Sequence, residues 1–437
     1  MWLMPTSGAD FSALSKSDFV LSGTSGLLNL FARWAKPYPR SEDYTYLEAD
    51  TLVDAKPPLL AKADPSGNKL SFKVLQLADL HYTGDAGLKC RDPPTKSTKC
   101  TESYMLGFIN ELLDLEAPDF IVFSGDNVAT SAETLQTAAT DAFTMAAEQR
   151  GIPFAIVIGN HDTDNGFPRE QIMELAMKKK HCYAKRGPTN IPGVGNYALD
   201  ILAPSEGVWG AQHSRVFRMY FLDSHAYRDG YQFPTSSSSY GWIQPSQIDY
   251  YRFMASTNTK KTPSVMFFHI PLPEYATTTI AVGQSSEPVY SASVNSHLFP
   301  TLLDVGDVKA TFVGHDHTNE YCAYRERIHL CYGGGAGFGN AYGNGDFPRR
   351  ARVIEWQTDD QYTTRITTWT RRYGHSEKIS PAELFPSNLA FHDLLVETSE
   401  RHESVLWFVL GALGCVIILG LATVAVYIRI KKAKKST

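Results

Sequence analysis

Cysteine is scarce in this sequence, with six residues among 437, which excludes a small scaffold held together by disulfides. A large excess of positive charge is also absent, because 41 basic residues face 46 acidic ones and the formal net charge is −5. We therefore expect no nucleic-acid-binding surface that works through bulk positive charge. Hydrophobic residues make up 43% and charged residues 20%, so the sequence predicts a globular protein with a large core.

One long run of the sequence lacks charge altogether. Residues 405–428 are 24 uncharged residues, and as a helix they would measure about 36 Å, enough to cross a bilayer core of about 30 Å. Trp407 and Tyr427 lie near the two ends, where such side chains favour the membrane interface. The run predicts one C-terminal transmembrane helix, and a buried core helix is the alternative.

The segment after this run is basic. Residues 429–437 carry five basic residues and no acidic one. A basic flank favours the cytosolic side, so residues 1–404 are predicted to be lumenal or extracellular, and a cytosolic domain with a tail anchor is the alternative. No clear signal peptide is present, because residues 1–30 lack the required apolar run. Either the true start lies upstream, or the C-terminal span directs entry into the membrane.

The rest of the chain divides into three parts. Residues 1–70 are predicted to form an irregular N-terminal lead-in, and residues 374–404 a polar stalk. Within residues 71–373, short apolar segments such as FKVLQLADL and DFIVFSGD alternate with amphipathic helical ones. This alternation predicts an α/β domain with strands inside and helices outside.

Five of the predicted strands end in a residue that can bind a metal ion. Asp, Asn or His stands at each strand end or within two residues of it: Asp79, His81, Asp126, Asn160, His161, Asp162, His269, His315 and His317. In layered α/β folds, functional sites form at the carboxyl ends of the strands. We therefore expect these side chains to share one site.

The types of these side chains indicate a metal site. Imidazole suits Zn, Fe and similar ions, whereas carboxylate and amide oxygens suit harder ions. No cysteine stands at these strand ends, so a structural zinc site of the thiolate type is not indicated. Seven of these nine side chains, all except His161 and Asp162, are counted as metal donors, which is too many for one tetrahedral ion. They suit two ions about 3.5–4 Å apart that share a carboxylate, an arrangement that activates phosphoryl groups.

Five motifs resemble those of the calcineurin-like metallophosphoesterase superfamily: Asp79-Leu80-His81, Gly125-Asp126, Gly159-Asn160-His161-Asp162, His269 and Gly314-His315-Asp316-His317. Flanking strings such as FFHIPLPEY and GHDHTNEYC resemble its purple-acid-phosphatase-related branch, which includes plant purple acid phosphatase relatives and a fungal cell-cycle phosphatase. This resemblance implies a four-layer α-β-β-α sandwich of two mixed sheets, to which the predicted transmembrane helix is added.

The resemblance also implies a ligand set. One metal ion would bind Asp79, His81, Asp126 and His317, and the other would bind Asp126, Asn160, His269 and His315. A metal-bound hydroxide would attack phosphorus in line. His161 matches the catalytic histidine, which would stabilise the phosphoryl group or protonate the leaving oxygen. Outside the ligand set, Asp162 could orient His161, and Asp223 could support the site or serve in packing or capping.

One position departs from purple acid phosphatases proper. Their tyrosine ligand, three residues after the Gly-Asp aspartate, is replaced here by Ala129. The resemblance therefore implies two divalent ions (Mn, Zn or Fe) rather than a ferric centre.

The implied function is a membrane-anchored phosphatase that hydrolyses phosphomonoesters. A phosphodiesterase or nucleotidase using the same site is one alternative, because the motifs do not define the leaving group. A non-catalytic, membrane-tethered scaffold with a phosphatase fold is the other. The expected partners are a phosphorylated substrate and the membrane.

Four of the cysteines lie in two close pairs. Cys90 and Cys100 are ten residues apart in a proline-rich loop, and Cys322 and Cys331 are nine apart on neighbouring strand-like segments. Two local disulfides, Cys90–Cys100 and Cys322–Cys331, would suit a lumenal domain. Four reduced thiols are the alternative.

Overall fold

The computed structural model describes residues 56–94, 99–228, 240–258, 261–343 and 348–386. The strands are β1 (Leu59–Leu60), β2 (Lys62–Ala63), β3 (Leu70–Leu77), β4 (Phe120–Ser124), β5 (Phe154–Val157), β6 (Tyr197–Leu202), β7 (Arg215–Phe221), β8 (Ser264–Phe267), β9 (Ile280–Val282), β10 (Val308–Val313), β11 (Cys322–Arg325), β12 (Ile328–Tyr332), β13 (Arg350–Thr358), β14 (Thr364–Arg372) and β15 (Ile379–Phe385). The α-helices are α1 (Tyr104–Glu116), α2 (Gln136–Arg150), α3 (Arg169–Met177), α4 (Pro245–Ser256) and α5 (Leu298–Val305).

These strands form two mixed sheets. The first has the order β15-β14-β13-β3-β4-β5, with β2 beside β3, and the second has the order β1-β6-β7-β8-β10-β12-β11-β9. Strands β3, β4 and β5 run parallel to one another, as do β7, β8, β10 and β12. Central parallel strands are covered on both faces, which explains why β4 and β8 are buried throughout. The predicted α/β fold with two mixed sheets is confirmed.

Aromatic contacts define the order of the layers. Phe217 on β7 stacks on Trp356 of β13 at 5.7 Å between ring centres, so the two sheets face each other. Tyr220 on β7 packs edge-on against Tyr251 in α4, on the other face of the second sheet. Phe123 on β4 contacts an aromatic ring of α2, on the outer face of the first sheet. The layers are therefore helix, sheet, sheet and helix.

Both sheets extend beyond the predicted limits of the α/β domain, residues 71–373. β2 and β1 lie within residues 1–70, which we expected to be irregular, and β15 lies within 374–404, which we expected to be a stalk. β15 pairs antiparallel with β14, where Ile379 lies opposite Thr370. All three strands are short or at a sheet edge and keep exposed side chains, so their hydropathy resembles that of loops. The domain therefore includes residues 59–385.

The predicted membrane span at residues 405–428 lies outside the described residues, and so does the basic tail at 429–437. Within the part of the chain that the structure describes, no helix combines the length and apolar character needed to cross a bilayer. The span therefore stays a prediction from sequence.

Two disulfide bonds close short loops. Cys90 is bonded to Cys100, and Cys322 on β11 is bonded to Cys331, which lies opposite it on β12. Cys182 is buried and free. Of the two alternatives for the close pairs, the structure contains the disulfides.

Reduction of these bonds is expected to lower the free energy of unfolding by about 2–3 kcal/mol for each loop, because a closed loop restricts the unfolded chain. Urea unfolding followed by tryptophan fluorescence, with and without reductant, measures the loss. A variant with Cys90→Ser and Cys100→Ser is the control, and it should respond to reductant through the remaining bond alone. A wild-type unfolding midpoint that is the same with and without reductant would contradict this expectation.

Candidate metal centre

The donors predicted from sequence follow the carboxyl ends of parallel strands in both sheets. In the first sheet, Asp79, Asp126 and Asn160 follow β3, β4 and β5. In the second sheet, His269 and His315 follow β8 and β10. One ligand atom each of Asp126, His269 and His315 lies within 4.8 Å of the others, so the ends of the two sheets meet at one site.

The backbone at these strand ends is strained. Asp79, His81, Asp126 and His315 have φ values between 49° and 77°, in the left-handed region. For a residue other than glycine this conformation costs about 1–2 kcal/mol. Such strain persists where the surrounding structure requires it, and it clusters at functional sites.

Two glycines in the motifs allow the strand ends to approach each other. A Cβ atom on Gly125 would lie 2.3 Å from Nδ1 of His269, and one on Gly159 would lie 2.2 Å from the backbone nitrogen of Asp126. Real Cβ atoms do not approach other atoms so closely, so both positions require glycine.

The first cluster consists of Asp79, His81 and His317, which are all buried. Nε2 of His317 lies 3.1 Å from Nε2 of His81 and 3.7 Å from Oδ1 of Asp79. Nδ1 of His317 donates to the carbonyl oxygen of Tyr342 at 2.9 Å. This hydrogen bond places the proton on Nδ1 and leaves Nε2 able to bind a cation.

The second cluster consists of Asp126, His269 and His315, which are also buried. Nε2 of His269 lies 3.1 Å from Oδ2 of Asp126 and 3.1 Å from Oδ1 of Asn160. Nδ1 of His269 lies 3.0 Å from the carbonyl oxygen of Ser124, which orients the ring in the same way. The amide oxygen of Asn160 therefore joins this cluster as a fourth donor.

The Asp126 carboxylate lies between the two clusters. Its Oδ2 is 3.1 Å from Nε2 of His269 and 3.7 Å from Nε2 of His81. This oxygen, Oδ2 of Asp79 and Nε2 of His315 are buried without a hydrogen-bond partner among the described residues. Such atoms are costly unless another group satisfies them. Two cations that share Asp126 would do so, and the residues therefore fit a dinuclear metal centre.

Burial controls the protonation of four of these ligands, whereas the mutual attraction of Asp126 and His269 outweighs burial, lowering the pKa of Asp126 and raising that of His269. Burial raises the pKa of Asp79 to about 7, and the nearby Asp126 carboxylate contributes to the rise. Burial lowers the pKa of His81 to about 3 and holds the pKa values of His315 and His317 well below the usual range. These three imidazoles are therefore neutral, which is the form that binds metals.

The predicted catalytic histidine, His161, lies beside the clusters. Its side chain is 35% exposed, and its ring centre is 5.3 Å from that of His81. Its Nδ1 lies 2.5 Å from Oδ2 of Asp164. Burial disfavours the charged imidazole, but the Asp126 and Asp164 carboxylates outweigh it and raise the pKa of His161 to about 9.

The carboxylate that orients His161 is Asp164, so our expectation of Asp162 is wrong. The segment His161–Thr163 is a 3-10 helix, in which side chains three residues apart share a face and adjacent ones diverge. Asp162 is turned inward and accepts hydrogen bonds from two backbone N–H groups, at 2.6 and 2.9 Å. One of these belongs to Gly159, so Asp162 supports the loop that carries Asn160 rather than the ring of His161.

Asp223 supports the end of β5 through an arginine. Its buried carboxylate lies 2.5 Å from Nη2 and 3.1 Å from Nε of Arg169. Arg169 also donates to the carbonyl oxygens of Gly159 and Ile158, both at 2.9 Å. These residues directly precede the metal donor Asn160. Burial alone would raise the pKa of Asp223, but Arg169 outweighs burial and lowers it.

Replacing Arg169 by methionine is expected to lower the free energy of unfolding by about 3–5 kcal/mol at pH 7, because Asp223 stays buried without its cation. The ion pair depresses the pKa of Asp223 in the folded state. Its stabilising effect is therefore complete above the pKa of the unfolded carboxyl, about 3.9, and is lost as the pH falls further.

Urea unfolding of the wild type and of Arg169→Met at pH 7 and near pH 3 measures the difference between their free energies of unfolding. This difference should be smaller at the lower pH. The double variant Arg169→Met/Asp223→Asn is the control, and it should recover part of the loss. A difference between wild type and Arg169→Met that does not depend on pH would contradict the ion-pair explanation.

Three tyrosines that the sequence analysis did not assign contact the histidines of the centre. Tyr342 stacks on His317 at 3.7 Å between ring centres, and Tyr240 packs edge-on against His315 at 4.8 Å. The hydroxyl of Tyr227 lies 3.3 Å from Nδ1 of His161. All three come from loops without periodic patterning, so no sequence signal distinguishes them among 22 tyrosines.

Comparison with known proteins relates this site to a family. Residues 72–319, more than half of the chain, match the family model described as Calcineurin-like phosphoesterase. The chain belongs to the calcineurin-like phosphoesterase family. The resemblance predicted from the five motifs is therefore confirmed, and the matched region contains both clusters, Asn160 and His161.

Curated relatives identify the branch of the family. "Probable inactive purple acid phosphatase 14" of Arabidopsis thaliana is 33% identical over 69% of this chain and 80% of that protein. "Phosphatase DCR2" of Saccharomyces cerevisiae is 35% identical over 72% of this chain and 55% of its own length. These relatives place the chain in the purple-acid-phosphatase-related branch. A solved purple acid phosphatase, PPD1 of yellow lupin, is 12% identical with a TM-score of 0.43, covering 74% of this chain and 54% of that one.

Proposed function

We propose that this protein is a dinuclear metal-dependent phosphatase that hydrolyses phosphomonoesters. The observation that carries the proposal is the pair of buried three-donor clusters with Asp126 facing both. Two metal ions side by side form a clamp for a transferring phosphoryl group. The name of the yeast relative, a phosphatase, supports the same reaction class.

Two divalent ions, Mn, Zn or Fe, would be held by the ligands assigned above. Asp79, His81 and His317 would hold one, and His269, His315 and Asn160 the other, with Asp126 shared. When bound, such ions polarise the phosphoryl group and lower the pKa of a coordinated water. Ala129 offers no phenolate at the position where purple acid phosphatases bind ferric iron, which supports the divalent pair.

His161 is the side chain that takes part in this chemistry without binding a metal ion. Its Nδ1 is engaged by Asp164, so Nε2 is the ring atom that can act on the substrate. From there the ring can donate a hydrogen bond to the phosphoryl group or a proton to the leaving oxygen. Partial exposure of His161 beside buried ligands lets the leaving group depart toward solvent.

Turnover of p-nitrophenyl phosphate and bis(p-nitrophenyl) phosphate by the full, metal-loaded chain tests the proposal. We expect about two ions per chain and faster cleavage of the monoester. Faster cleavage of the diester would replace the proposal with a phosphodiesterase or nucleotidase that uses the same centre.

A non-catalytic scaffold is the second candidate, because three Arabidopsis relatives are named "Probable inactive". The retention of every donor and of strained backbone at four of them favours catalysis in this chain. A purified chain that holds no metal after reconstitution and cleaves neither substrate would support the scaffold.

The proposal includes a membrane anchor at residues 405–428 and a lumenal or extracellular catalytic domain. The uncharged run, the basic segment at 429–437 and the two disulfides, which form in oxidising compartments, support this topology. Protease treatment of sealed microsomes tests it. Digestion of the catalytic domain in the absence of detergent would contradict it.

A further inference from the structure

Tyr227 lies at the edge of the metal centre, next to the group assigned to proton donation. Its ring centre is 6.3 Å from that of His161, and both side chains are half-buried, whereas the metal ligands are buried. These two side chains are therefore more accessible from solvent than the metal ligands beside them.

Hydrogen bonds define the orientation of the Tyr227 hydroxyl. Its oxygen accepts a hydrogen bond from Nδ2 of Asn160 at 3.0 Å and lies 3.3 Å from Nδ1 of His161. Because a carboxylate can only accept, the contact of Nδ1 with Asp164 at 2.5 Å places a hydrogen on Nδ1. The phenol oxygen thus accepts from Nδ2 of Asn160, and Nδ1 of His161 cannot accept because it carries the hydrogen donated to Asp164, so the phenol hydrogen has no acceptor among the described residues.

The surrounding residues hold this hydroxyl in place. The Tyr227 ring stacks on the Tyr240 ring at 6.0 Å between centres, and the two residues form a backbone bridge. Tyr240 in turn packs edge-on against the metal donor His315. The Tyr227 side chain is therefore supported on one side by Tyr240 and tied on the other to a ligand and to the catalytic histidine. A donor fixed in this way needs little reorganisation to act on a substrate.

We infer that the Tyr227 hydroxyl donates a hydrogen bond to a phosphoryl oxygen of the substrate and binds the transition state more tightly than the ground state. This inference rests on the proposed function. A phenol keeps its proton at neutral pH, so Tyr227 supplies a neutral hydrogen-bond donor beside the proposed metal ions and the protonated ring of His161. Donors aimed at a developing negative charge contribute strongly because they are already oriented.

A structural role is the competing explanation. Tyr227 accepts from Nδ2 of Asn160 and so keeps Oδ1 of the same amide directed at His269. If this were its whole role, loss of the hydroxyl would weaken metal binding, and activity would fall in proportion to the metal lost.

The test compares the wild-type full chain with Tyr227→Phe and with the control Tyr183→Phe. The control loses a phenol that donates to the carbonyl oxygen of Pro57, away from the centre. Metal content, kcat/KM for p-nitrophenyl phosphate, and the affinities for vanadate and inorganic phosphate are measured for each. Vanadate resembles the transition state of phosphoryl transfer, whereas phosphate resembles the product.

We expect Tyr227→Phe to retain its metal and to lose about 10²-fold in kcat/KM. Its affinity for vanadate should fall more than its affinity for phosphate, while Tyr183→Phe should match the wild type. Unchanged turnover and vanadate affinity in Tyr227→Phe, or loss of activity that follows loss of metal, would overturn the inference. A wild type that binds metal but cleaves no phosphate ester overturns the proposed function instead, and the two anion affinities then still decide the role of Tyr227.

Discussion

Replacing Asp126 by alanine is expected to remove both metal ions and to lower kcat/KM by at least about 10³-fold. Asp126 is the donor that faces both clusters, with one oxygen 3.1 Å from Nε2 of His269 and 3.7 Å from Nε2 of His81. Its other oxygen accepts from the backbone N–H of His161 at 2.8 Å. Loss of the side chain therefore affects both ion sites and the catalytic loop. Metal analysis of the purified chain and turnover of p-nitrophenyl phosphate measure the effect.

Two further variants make this result specific. His317→Ala removes a donor from the first cluster alone, so we expect loss of one ion with the second retained. His375→Ala is the matched control, because this exposed histidine contacts Glu377 at the surface, and its metal content and turnover should equal those of the wild type. If Asp126→Ala kept two ions, the shared-carboxylate arrangement would be disproved.

Replacing His161 by alanine is expected to lower kcat by about 10²- to 10⁴-fold while both ions are retained. His161 contributes no atom to either cluster, and the hydrogen bond that ties its loop to Asp126 comes from the backbone, which the substitution keeps. The predicted result is thus a chain with full metal content and little turnover, unlike the ligand variants. Metal analysis alongside steady-state kinetics separates the two effects.

Asp164→Asn supplies the finer comparison. It keeps the shape of the side chain that contacts Nδ1 of His161 but removes the charge that favours the protonated ring. We expect a smaller fall in kcat than in His161→Ala and no further fall when the two substitutions are combined, because both act through one ring. Losses that multiply in the double variant would show that Asp164 acts independently of His161.

The ligand set could be predicted from the sequence because each donor follows an apolar strand. The strand pattern is local, and the parallel strands then bring residues as distant as Asp79 and His317 together. The apolar strands and amphipathic helices also predicted an α/β domain, whereas the two-sheet sandwich was implied only by the resemblance of the five motifs to the calcineurin-like superfamily. The pattern of an apolar strand followed by a metal-binding side chain recurs along the chain, so the prediction does not depend on any one contact.

The remainder depends on geometry that no periodic pattern encodes. Asp164 rather than Asp162 contacts His161 because the segment is a 3-10 helix, and three residues are too few to show a period. Tyr227 reaches the centre through the course of a loop. β15 was expected to be part of a stalk because an edge strand keeps half of its side chains in solvent.

The donors come from both layers of the sandwich: Asp79, His81, Asp126 and Asn160 from one sheet, and His269, His315 and His317 from the other. Bound ions would therefore act as a cross-link between the two sheets, in addition to the side-chain packing and hydrogen bonds that already join them. An ion that binds the folded state alone adds about 2.7 kcal/mol of stability at a hundredfold excess over its Kd. The heat tolerance and cellular lifetime of the protein would then follow the metal supply of its compartment, and scarcity of metal would reduce its abundance as well as its proposed activity.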